Sequence, residues 1–132
     1  MGREHEIAGT LHELGNIAYL DGKPKEAQRY YERALDIYRR FDNELGVGYC
    51  LGSMSALAFE VGDYVRAWEL VNQAIAIGRK HREIELITAA LKQVGAFINV
   101  PEYQKKAMTL LAALANNASL FSHLVSDDVG QK

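Results

Sequence analysis

The chain has 132 residues, 48% of them apolar and 24% charged, with a formal net charge of −2. That length suits one domain, 1–132, with a continuous core, and that composition excludes a disordered chain. With no basic arm nothing calls for nucleic acid, and the most apolar stretch, 86–100, is broken by Lys92 and Gln93 and is too short to span a membrane.

The first predicted helix carries Ile7, Leu11, Leu14 and Ala18 on one face, at the spacing of an amphipathic helix. It contains LHELGN, residues 11–16, one letter from the H-E-x-x-H helix that binds zinc in metalloproteases. The second ligand is missing, because Asn16 stands where a histidine is needed and an amide is a poor substitute for imidazole. Gly22 then ends the helix, and Pro24 suits the first turn of the next. That second helix presents Ala27, Tyr30, Tyr31, Ala34, Leu35, Tyr38 and Phe41 as a continuous face.

The next pair of helices follows the same plan. Gly62 stops the first, and Asp63 can cap the second, whose stripe is Ala67, Leu70, Val71, Ala74 and Ile75. Cys50 is the only cysteine, so neither an intrachain disulfide nor a multi-thiolate zinc site can form, and a reducing, cytoplasmic setting is expected. The N-terminus lacks the apolar run of a signal peptide. Arg79-Lys80-His81-Arg82 reads as a helix C-terminus, where cations complement the dipole. The third pair is worn: Asn99-Val100-Pro101 replaces the glycine turn, and Leu114 replaces an alanine. A short helix around Ser119 to Val125 would close the end.

These pairs are one repeat. At a shift of forty residues Leu11 falls on Leu51 and Leu91, Leu14 on Met54 and Val94, and Ala27 on Ala67 and Ala107. Gly15, Ser55 and Gly95 coincide, as do Ile7, Val47 and Ile87, and Gly22 meets Gly62. The units span about 4–43, 44–83 and 84–117, with a tail at 118–132. Small residues at Gly15 and Ala27 would let the two helices of a hairpin approach closely. One hairpin cannot bury its own face, so the units must stack.

L-x-x-L-G-N-x-A-Y (Leu11 to Tyr19), Gly22 and E-A-x-x-Y-Y-x-x-A-L (Glu26 to Leu35) resemble a tetratricopeptide repeat. Leu51 to Phe59, Gly62 to Ala67 and Ala74 resemble a second copy. The usual period is about 34 residues. The longer form found here resembles repeats in the sensor arms of bacterial multidomain regulators. The resemblance implies an all-α, right-handed solenoid of about three antiparallel helix hairpins with a capping helix, its first helices lining a concave groove.

What it further implies is a non-catalytic protein–protein interaction module that needs no cofactor and no metal. Its groove would hold a peptide or protein partner through His12, Asn16, Tyr19, Tyr49, Phe59, Glu60, Lys92 and Asn99. The alternative is a self-associating arm of a larger signal-transduction or transcription regulator, dimerising through the C-terminal tail. Family members that clamp a terminal carboxylate offer a further comparison. Asn16 fits that pattern, but His12 stands for its lysine and Ala89 and Gln93 for its basic pair, so the clamp is not expected.

Overall fold

The computed structural model describes residues 2–116, and all of its regular structure there is helical. The tail helix and the tail dimer contact expected from the sequence lie outside the described residues. In chain order come α1 (Gly2–Leu20), α2 (Pro24–Arg40), α3 (Glu44–Glu60), α4 (Tyr64–His81) and α5 (Ile84–Ala96). A 3-10 turn, Phe97–Asn99, then leads to α6, residues 104–116. The helices form two compact units, Met1–Gln93 and Val94–Lys132, with α5 spanning the boundary.

In the first unit α1 pairs with α2, α3 with α4, and α2 packs on α3. The turns inside the two hairpins are built alike. Gly22 and Gly62 have φ of 73° and 86°, in the left-handed region that glycine enters without steric cost. Each turn closes with a backbone bond reaching back five residues, from Lys23 to Ala18 and from Asp63 to Ala58. Pro24 opens α2, where its missing N–H costs nothing. Asp63 caps α4 by accepting from the Arg66 amide, and Asn43 caps α3 by accepting from Gly46. Between hairpins the left-handed positions are Asp42 and Arg82, at φ of 55° and 53°.

The core faces follow the repeat register with one exception. Ala27, Tyr31, Ala34 and Leu35 of α2 are buried, as are Ala67, Leu70, Val71, Ala74 and Ile75 of α4. On α1 the buried face is Ala8, Leu11, Gly15 and Ala18. Ile7 and Leu14, which the helical spacing assigns to that face, are 45% and 37% exposed. Leu14 corresponds to Met54 of α3, which is only 3% exposed. The difference is one of neighbours: α3 packs against α2, and the matching side of α1 faces out.

Exposed side chains also tie helix ends together. The Glu44 carboxylate near the start of α3 accepts from Lys80 at 2.9 Å and His81 at 2.6 Å near the end of α4. Those two partners hold Glu44 below the ordinary carboxylate range. The carboxylate sits at a positive helix end and the Lys80 ammonium at a negative one, so that pair agrees with both dipoles.

The second unit shows how the worn turn is made. Pro101 disfavours helical geometry at the residue before it, and Val100 is extended, with φ −103° and ψ 107°. Regular α-helix therefore stops at Ala96, whereas α1 and α3 run to Leu20 and Glu60, the register positions of Val100. Phe97, fully buried, packs its ring 5.2 Å from that of Tyr103. Ala107 and Leu114 form the buried side of α6.

Candidate partner-binding surface

His12, Asn16 and Tyr19 share one face of α1, at i, i+4 and i+7. All three are half-buried. Two of them are already engaged inside the fold. Asn16 Oδ1 accepts a 2.7 Å hydrogen bond from the Tyr31 hydroxyl of α2. His12 Nε2 lies 2.7 Å from Ser53 Oγ of α3, and its ring sits 5.7 Å from the Tyr31 ring. Three helices thus meet in one polar network around a tyrosine that is 1% exposed.

Gly15 makes room for that tyrosine. A Cβ at position 15 would lie 2.5 Å from Tyr31 Cε1, so the ring occupies the space a side chain would take. The close approach expected at this small residue is thus filled by an aromatic ring seated directly over the glycine.

Burial governs the titration of the network. It raises the Tyr31 hydroxyl to about 12, helped by Tyr19, Cys50 and Glu13 nearby. It also lowers His12, against the opposing pull of Glu13, so the neutral imidazole is the favoured form. Cys50, 0% exposed on α3, is pushed to about 12 and is no nucleophile at neutral pH.

The remaining candidates fall in different surroundings. Tyr19 is raised by burial and by the negative charge of Glu60, which brings the end of α1 into the field of an exposed carboxylate on α3. Phe59 packs 5.0 Å from the Tyr64 ring, across the turn of its own hairpin. Tyr49 is half-buried and feels Glu83 and Glu85 after burial, its largest influence. Lys92 is exposed on α5. Asn99 is exposed at the end of the 3-10 turn, in the second unit.

Two features escape a reading by repeat register alone. Ser53, which anchors His12, has polar Glu13 and Gln93 at its equivalent positions, and their differing lengths hide the contact. A groove of about 410 Å³ opens where the start of α2 meets the end of α3, between Lys25, Gln28, Leu57, Val61 and Arg66. Its signal in the sequence is Val61, an apolar residue at a turn position where the first repeat has Asp21.

Among the described residues no group of three or more histidine, cysteine, aspartate or glutamate side chains is placed to hold a metal ion. None of the helices there is long and apolar enough to cross a membrane. No solved structure gives a significant match to the chain. A tetratricopeptide repeat family model matches residues 6–80, which takes in both well-formed hairpins with their turn glycines and their buried alanines. The chain belongs to the tetratricopeptide repeat family.

Proposed function

We propose that this chain holds a peptide or protein partner against the exposed side of α1 and α3. Repeats of this family generally mediate protein–protein interaction and are typically non-catalytic. The observation that carries the reading is that α1 packs on α3 and the two helices end in a half-buried aromatic, Tyr19, and an exposed carboxylate, Glu60. An aromatic anchor beside a charge suits a partner segment with an apolar side chain and a basic one. Tyr49 and Phe59 extend the aromatic character along α3, and Lys92 on α5 supplies a further polar contact. His12 and Asn16 set the shape of this face. Tyr31 occupies Asn16 Oδ1, so the partner meets the Asn16 amide donors. A reducing, cytoplasmic setting fits the buried thiol of Cys50.

The test is capture of partners by the immobilised chain from its native lysate. Tyr19→Ala with Glu60→Lys should lose the captured partner while helicity by circular dichroism stays at the parent level. Arg33→Ala, an exposed change on α2, serves as the control and should lose nothing. A partner held equally by the parent and the Tyr19/Glu60 variant would remove this face as the site. His12→Ala and Asn16→Ala are poor probes, because each breaks a hydrogen bond that holds α1 in place.

A further inference from the structure

Among the described residues, the outer side of α1 is a repeat interface with nothing packed on it. On α3 the positions Cys50, Met54 and Leu57 are buried, the last two at 3% exposure each. Forty residues earlier stand Thr10, Leu14 and Ile17, and all three are exposed, Ile17 at 54%. What lies over the α3 face is α2, running antiparallel. Gln28 near its start shares a groove with Leu57 near the end of α3, and the Tyr38 ring near its end lies over Gly46 near the start. A helix of the α2 kind therefore fits the Thr10–Leu14–Ile17 face.

Among the described residues, α6 is such a helix, and its matching side is partly open. Eighty residues after Ala27 and Ala34, Ala107 and Leu114 are buried on α6, as their counterparts are on α2. Gln28 and Tyr31 correspond to Met108 and Leu111; Met108 is 57% exposed and Leu111 is half-buried. Charge agrees with the same register. Lys25 and Val61 line one groove where α2 meets the end of α3. Their counterparts are Lys105 on α6 and Asp21 at the end of α1, a cation and an anion, both exposed.

We infer that a second copy of this chain lays its α6 on the outer face of α1, head to tail, continuing the forty-residue register from one molecule into the next. Met108 sits on Ile17, Leu111 on Leu14, and Lys105 meets Asp21. The contact is heterologous, so a dimer keeps one free α1 face on one copy and one free α6 face on the other, and association proceeds beyond the dimer or closes as a ring.

Sedimentation velocity of the full chain over a range of concentrations tests this. The parent should show mass rising with concentration beyond the dimer. Ile17→Glu and Met108→Glu should each be monomeric with parental helicity, and an equal mixture of the two should form a 1:1 dimer and stop there. Each variant keeps the face the other has lost, and a symmetric dimer cannot behave this way. A second pair tests the register without touching apolar contacts: Asp21→Lys and Lys105→Asp should each weaken association about threefold, as expected for an exposed ion pair. Both changes in one chain should bring it back toward the parent. A parent of constant mass overturns the inference and leaves the α1 face to a helix from a different protein. A mixture that stays monomeric, or single variants that still associate, overturns the head-to-tail geometry.

Discussion

At the scale of single residues, the polar network around Tyr31 decides how α1 sits. Glu13 on α1, Tyr31 on α2 and Ser53 on α3 surround the His12 ring. Burial lowers His12 below its ordinary value of 6.5, so the folded chain binds its proton more weakly than the unfolded chain does. The sign follows: the contribution to stability is complete above the ordinary histidine value and is lost as pH falls through it toward the depressed folded value. The midpoint of thermal unfolding should therefore drop between about pH 7.5 and about pH 5.5. His12→Gln should flatten that part of the profile. An unchanged slope in the variant would assign the acid sensitivity to another group. The sequence named His12 and Asn16 as contacts for a partner on the strength of family positions. Their bonds to Ser53 and Tyr31 depend on residues 41 and 15 positions away in the chain, which no local pattern encodes.

At the scale of elements, the turns were the most legible part of the chain. Gly22, Gly62, Pro24 and Asp63 each act locally, through backbone conformation or a cap within one turn, so the residue type is enough to read them. Asp63→Ala should cost about 1 kcal/mol by losing the bond to the Arg66 amide. Urea denaturation of the full chain measures it, and a shift in midpoint without a change in slope identifies a simple loss of stability. The corresponding position before α2 is Lys23, which makes no side-chain cap, so the first hairpin has no such bond to lose. The early end of α5 was only half legible. Pro101 announces a departure, but the 3-10 turn also depends on Phe97 finding a buried place beside Tyr103.

At the scale of the molecule, equivalent positions of a repeat need not have equivalent energies. Leu14 and Met54 share a register position, yet one faces solvent and the other is covered. Met54→Ala should cost about 2–5 kcal/mol, within the range for emptying a buried site. Leu14→Ala should cost about 0.5 kcal/mol or less, as an exposed change does. Chemical denaturation of both variants, at a concentration low enough to keep the chain monomeric, checks the contrast. Equal costs would mean that α1 is covered in solution. The same contrast marks the outer face of α1 as available for association, and it separates that face from the one that carries Tyr19 and Glu60.

By itself the sequence determined that the chain is helical, that its unit is a pair of helices repeating at forty residues, and where the turns fall. It could do so because helical period, glycine turns and caps act over a few residues, and the repeat prints the same solution twice. Only the tertiary structure decided which apolar residues are core and which are surface, and which polar residues are spent inside the fold. Ile7 and Leu14 obey the helical period as well as Leu11 does; what separates them is whether another helix lies alongside. Burial depends on neighbours, and neighbours are set by packing across hairpins rather than along the chain.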